Sequence, residues 1–130
     1  MIEYRCDHIH LKSTYVEETA KWYCDIFDAE ITFEGYFKGS KVVYFNINGM
    51  DFIVFGKLDG EKEPITASLR PMYGNDHFGF EVNNMEEAIE SLKNKDVNIL
   101  EGPINVRKGL KIAYIEGPDK VRIELSERNQ

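Results

Sequence analysis

The stretch Asp7-His8-Ile9-His10-Leu11 has a second copy in the chain, Asp76-His77-Phe78-Gly79-Phe80. In each, an Asp-His pair opens an apolar run, and an amphipathic helical pattern follows at once. Two such copies in 130 residues indicate two similar halves.

Working outward from the first copy, Tyr4 to Lys12 reads as a strand. Thr14 and Glu17 then have the spacing of a capping box. Val16, Ala20, Tyr23, Cys24 and Phe27 recur at helical spacing and predict the buried stripe of a helix ending at Asp28-Ala29. Strands are predicted over Glu30 to Phe37, Lys41 to Asn48 and Asp51 to Lys57. They are separated by Lys38-Gly39-Ser40 and by Asn48-Gly49, the latter a strong tight-hairpin signal. Residues 58–74, with Gly60, Pro64, Pro71 and Gly74, read as the connection between the halves.

The second half repeats the plan. Asp76 to Val82 reads as a strand. Asn83 and Glu86 form a second capping box, and Met85, Ile89 and Leu92 a second buried stripe. Strands are predicted to begin at Val97 and to cover Lys111 to Glu116 and Val121 to Glu127, the last two joined by Gly117-Pro118-Asp119-Lys120. Each half is strand, helix, strand, strand, strand. Neither half can bury its sheet alone, so the two sheets are expected to close around a shared cavity.

Composition narrows the function classes. A formal charge of -7 argues against a phosphate-backbone partner, which needs Lys and Arg clustered on one face. No apolar run approaches the ~20 residues of a membrane span. The N-terminus lacks the basic-then-apolar plan of a signal peptide, which makes a cytoplasmic protein the expectation. Two cysteines, Cys6 and Cys24, make no disulfide framework, and both read as reduced, buried thiols. Eight Phe, seven Tyr and one Trp are ample for a globular core.

His8, His77 and Glu124 form the candidate constellation. Polar side chains inside strands need partners, and the two histidines hold equivalent places in the repeats. Two imidazoles and one carboxylate on one side of a divalent metal leave open positions for substrate or oxygen. His10 rivals His8, because it lies two residues on and faces the same side of the strand. The repeat favours His8 and leaves His10 lining the cavity. Lys12 shares that face and is a candidate for holding an anionic substrate. Tyr44, Asn46 and Tyr114 lie on central strands and are candidates for lining the same cavity.

On these anchors the chain resembles the vicinal oxygen chelate superfamily, the glyoxalase I, bleomycin-resistance and extradiol-dioxygenase group. The anchors are Asp7-His8-Ile9 followed by the Lys21-Trp22-Tyr23 helix, Asp76-His77-Phe78, and Gly117-Pro118-Asp119 running into Arg122-Ile123-Glu124-Leu125. The resemblance implies an α+β fold of two paired βαβββ modules forming an open, cup-shaped mixed β-sheet barrel with flanking helices. It implies one domain over residues 1–130, with modules at about 1–57 and 75–130 and a connecting loop at 58–74. It also implies a homodimer, with the cup built within one chain or across two.

The family's metal ligands map by position onto His8, His77 and Glu124, for Zn, Ni, Mn, Fe or Co. The fourth place falls on Ile53, which binds no metal. Glyoxalase I and epimerase relatives place a protein oxygen there. Dioxygenases and fosfomycin-resistance thiol transferases manage with two His and one Glu. Two function classes follow. One is a metalloenzyme, lyase-like or dioxygenase-like, acting on a small oxygen-rich substrate. The other is a metal-free protein of the bleomycin-resistance kind that sequesters a flat ligand.

Overall fold

The structure, a computed structural model, describes residues 1–129. The chain divides into two compact units, Met1–Ile65 and Thr66 onward. The first unit contains β1 (His8–Lys12), α1 (Val16–Phe27), β2 (Glu30–Phe37), β3 (Ser40–Ile47) and β4 (Met50–Phe55). The second contains β5 (Phe78–Glu81), α2 (Met85–Asn94), β6 (Ile99–Arg107), β7 (Leu110–Gly117) and β8 (Val121–Arg128), with a short 3-10 turn at Pro118–Lys120 before β8. The fold is thus α+β, and each unit is βαβββ.

The two sheets repeat one topology. The first has strand order β1-β4-β3-β2, the second β5-β8-β7-β6. The leading strand of each unit pairs in parallel with the last one, and the other neighbours are antiparallel. Both sheets are open, with edges at β1 and β2 and at β5 and β6. Among the described residues no helix is long and apolar enough to cross a membrane.

Each sheet buries one face under its own helix. In α1, Val16, Thr19, Ala20 and Tyr23 are buried, the one-sided spacing of an amphipathic helix. They meet Val43, Phe45, Phe52 and Val54, all no more than 1% exposed, and the rings of Tyr23, Phe45 and Phe52 stack with centroids 5.1–6.0 Å apart. In the second unit, Met85, Ile89 and Leu92 of α2 are buried, as are Ala113, Ile115, Ile123 and Leu125 of the sheet. Fully burying a large apolar side chain stabilises by roughly 1.5–3 kcal/mol, so this layer carries most of the driving force for folding.

The predicted helix starts need correction. Asn84, not Asn83, caps α2, its Oδ1 accepting from Glu87 N at 3.0 Å. The buried Glu127 adds an acceptor that no local pattern shows, taking Met85 N at 2.7 Å. At α1 the cap position is Tyr15, with no side-chain cap hydrogen bond. Ser13 organises this start, its Oγ accepting from Tyr15 N at 3.0 Å and bonding Thr19 Oγ1 at 2.7 Å. At α2 the expected cap spacing acts one residue later, from Asn84 to Glu87, with Glu127 of β8 added to it; at α1 the acceptor is Ser13 in the entering turn.

Strand ends also differ. β1 begins at His8 rather than Tyr4, and β5 at Phe78, so His77 stands at the mouth of its strand rather than inside it. Cys6 lies in the exposed segment before β1 and is not buried, while Cys24 is half-buried on α1. The Asn48-Gly49 turn forms as expected, with φ of 47° and 96°, the two positive values a primed hairpin turn requires.

Candidate functional site

The face of each sheet turned away from its helix carries the candidate residues, and the register fixes which ones. Paired residues share a face, and residues two apart along a strand do too. In the first unit one row crosses all four strands as His10, Ile53, Tyr44 and Phe33. In the second unit the matching row is Gly79, Glu124, Tyr114 and Glu101. His10 and Gly79 each lie two residues after the repeated histidine, so Ile53 and Glu124 occupy equivalent places.

In the second unit the polar groups form a connected chain. His77 Nε2 lies 2.8 Å from Glu124 Oε1, and His77 Nδ1 lies 2.7 Å from Asp76 Oδ2. Asp76 also accepts from Arg122 Nη1 at 2.8 Å and from Met72 N at 2.7 Å. The hydrogen bond from His77, then the Met72 N–H, and further the Arg122 charge hold the Asp76 carboxyl below its usual range. An ionised Asp76 can only accept, so Nδ1 donates to it and Nε2 is the nitrogen that faces Glu124. The edge of His77 meets the ring of Tyr114 with centroids 5.1 Å apart, and the Arg122 guanidinium lies 4.6 Å over the same ring. Burial, and then the Glu124 charge, raise the Tyr114 hydroxyl pKa. Gly79 keeps the strand close to Glu124, since a Cβ there would stand 3.2 Å from the Glu124 carbonyl oxygen.

In the first unit His8 repeats half of this arrangement. Its Nδ1 lies 2.8 Å from Asp7 Oδ2, but Ile53 offers Nε2 no carboxylate. His10 packs edge-on against Phe55 at 4.6 Å. Burial, then the positive charge of Lys12 and then His8, lower the His10 pKa. Lys12 Nζ is 2.7 Å from Glu61 Oε1, which also accepts from Leu58 N at 3.0 Å. Asn46 is tied into its own hairpin, donating to Asp51 Oδ1 and accepting from Gly49 N, both at 2.8 Å. Tyr44 meets Phe33 edge-on at 5.3 Å.

The residues fit a divalent metal in the second unit. His77 Nε2 and Glu124 Oε1 are both electron-pair donors, and at 2.8 Å one proton holds them together. A cation can take the place of that proton. Behind the imidazole stands Asp76, in the place from which a carboxylate can orient a histidine toward a metal through its other nitrogen. Within neither unit do three His, Cys, Asp or Glu side chains of the described residues already converge as a metal site.

Asp7, Asp76, Arg122 and Glu61 hold the candidate side chains in place, a role that motif spacing alone does not assign to them. The first two open both copies of the repeat, and Arg122 precedes Glu124 by two residues and so shares its face. These three were visible as a pattern. Glu61 lies on the connecting loop, and nothing local ties it to Lys12.

The comparisons with known proteins agree with this architecture. A glyoxalase family protein from Enterococcus faecalis superposes with a TM-score of 0.78 at 20% identity, over 95% of this chain and 97% of that one. The fosfomycin resistance protein FosX from Listeria monocytogenes gives 0.74 at 22% identity, over 99% and 96%. A second structure of FosX, complexed with Mn(II) and sulfate, gives 0.74 at 20%, over 99% and 95%. Identities this low establish the shared fold. The family model of the Glyoxalase/Bleomycin resistance protein/Dioxygenase superfamily matches residues 5–125, nearly the whole chain, and the chain belongs to that superfamily.

Proposed function

We propose that this protein is a metal-dependent enzyme acting on a small, oxygen-rich substrate, with the ion held by His8, His77 and Glu124. The observation that carries this reading is the Asp76–His77–Glu124 chain, in which an oriented imidazole and a carboxylate face one another at 2.8 Å. In this reading the protein is one cytoplasmic domain that works as a homodimer. His8 joins the other two ligands when a first module pairs with a second, of the same chain or of another copy. His8 is preferred to His10 because only His8 has the Asp partner that His77 also has.

When bound, a divalent ion supplies Lewis acidity that polarises vicinal oxygens on the substrate. The chain's own residues do the rest. Asp76 and Asp7 hold the two rings with Nε2 forward. Arg122 keeps Asp76 ionised and in place. Tyr114 walls one side of His77. His10, Lys12, Tyr44, Asn46 and Tyr114 are the residues proposed to meet substrate, with Lys12 offering a cation once Glu61 releases it. Ile53 offers no donor where the equivalent strand has Glu124, so a bound ion would keep a position for water or a second substrate oxygen, which favours lyase-like addition or oxygen chemistry over isomerisation by a ligand acting as base.

A metal-free, ligand-sequestering protein is the second reading, favoured by Ile53 standing where the equivalent strand has Glu124. Elemental analysis and calorimetric titration with Zn, Ni, Mn, Fe(II) and Co decide between them. Mn(II) comes first, because one relative was solved with it. One ion per chain with micromolar or tighter affinity, lost in His77→Ala, supports the enzyme reading. No uptake of any of these ions by the folded protein overturns it.

A further inference from the structure

We propose that the helix-free face of the first unit is a seat for a ring-sized apolar group, so that the substrate is an oxygen chelator carrying an aromatic or bulky branched substituent. This rests on the functional reading above for the chelating part only. The seat is built by Phe33, Tyr44, Ile53, Phe37 and Phe55. All five lie on the face that also bears His8 and His10. Phe33, Phe37 and Tyr44 are 54%, 47% and 38% exposed, although apolar rings of this size usually lie buried.

The rings are held in place despite their exposure. Phe33 stands edge-on to Tyr44 at 5.3 Å, and Phe37 packs against Phe55 at 5.7 Å. Phe33 also lies across the backbone of Gly35, where an added Cβ would stand 2.8 Å from its ring. The missing side chain at 35 makes room for the ring to lie on the sheet. Ordering a ring costs little when its neighbours fix it beforehand, and a preorganised apolar surface gains affinity for that reason.

The area chooses the occupant. Three half-exposed rings offer on the order of 300 Å², well below the ~800 Å² per partner of a stable protein interface. It matches one aromatic ring. The corresponding row of the second unit bears Glu124 and Glu101 around Tyr114, so an apolar group has no comparable seat there.

The test compares two probes with the same pair of chelating oxygens, lactate and 3-phenyllactate, by calorimetry on the full chain, with metal content measured separately. The expected result is that 3-phenyllactate binds at least tenfold more tightly than lactate. Phe33→Ala and Gly35→Ala should each cut that preference to threefold or less while leaving lactate affinity unchanged. Gly35→Ala keeps every ring and only displaces Phe33, so its effect reports the seat rather than lost bulk. Equal affinities for the two probes in the wild type, with metal bound, overturn the seat and leave the metal reading standing. A ring preference that both variants abolish, in a protein that takes up no metal, supports the seat and overturns the metal reading. A preference untouched by either variant overturns the seat, as does a Phe33→Ala variant altered only in its sedimentation, which would assign the rings to a second copy of the chain.

Discussion

The two units share strand order, register and helix placement, yet their helix-free faces hold different chemistry. The row His10, Ile53, Tyr44 and Phe33 in the first corresponds to Gly79, Glu124, Tyr114 and Glu101 in the second. The helix-side faces, by contrast, are apolar in both, apart from the buried Glu127 that meets the start of α2. Energetics account for the asymmetry. Each large side chain under a helix contributes roughly 1.5–3 kcal/mol, which ties both units to the same pattern. Substitutions at exposed positions usually move stability by no more than about 0.5 kcal/mol, which leaves the open faces free to diverge. One duplicated scaffold thereby supplies a half whose central row is mostly apolar, with His10 at its end, and an ionisable half whose row bears Glu124 and Glu101.

The largest effect is expected where the ionisable half is broken. His77→Ala and Glu124→Ala should each weaken metal binding at least a hundredfold, with little change in the unfolding midpoint, because both side chains lie outside the helix-side core. Titration with Mn(II) or Zn checks this. Undiminished affinity in either variant would remove that residue from the ligand set.

Making the first unit resemble the second is the next step. Ile53 faces away from α1 on a central strand and is half-buried. Ile53→Glu should tighten metal binding by about tenfold, the gain from a fourth protein ligand offset by the cost of crowding carboxylates. If the variant unfolds with metal affinity unchanged, Ile53 serves packing and the equivalence with Glu124 has no chemical meaning.

The orienting carboxylates sharpen the same contrast. Asp76 is fixed by His77, Arg122 and Met72, whereas the Asp7 side chain is 88% exposed. Loss of an orienting partner typically costs 10–100-fold in metal affinity. Asp76→Asn should fall in that range, and Asp7→Asn should cost threefold or less. Equal losses would mean that the His8–Asp7 pair is held as firmly as its counterpart.

The smallest effects concern how each helix begins. Asn84→Ala should cost about 1 kcal/mol, or about 4 °C in the thermal midpoint. Glu127 is held below its ordinary carboxyl pKa, first by the Met85 N–H and further by Asn129. A carboxyl lowered on folding contributes stability above its unfolded pKa near 4.5, and that contribution fades as pH falls through the lower folded value. Thermal midpoints of Glu127→Gln should therefore lie below wild type at pH 7 and converge with it in acid. A gap that persists below pH 3 would point to lost packing instead of lost charge.

Much of this protein was written in local pattern. The repeated Asp-His, the alternating strands, Asn48-Gly49 and the stripe Met85, Ile89, Leu92 each depend on a periodicity of 2 or 3.6, or on one turn's backbone angles. Such features need only near neighbours, so the sequence determined the βαβββ plan, its duplication and the choice of His8 and His77, at equivalent places in the repeats, with Glu124 as candidates. The register that sets Ile53 opposite both His10 and Tyr44, the reach of Arg122 to Asp76, the Glu61 carboxylate on Lys12, and the Glu127 cap on α2 belong to the tertiary structure. Each joins residues far apart in the chain, or long side chains whose direction no spacing rule specifies. The helix starts moved by a residue because Asn84 and Ser13, neighbours of the expected caps, face the first-turn N–H groups once the chain has folded. Exposure, too, was decided only on folding. Phe33 and Phe45 are both apolar strand residues, and it is the layer α1 covers that buries one and leaves the other open to solvent.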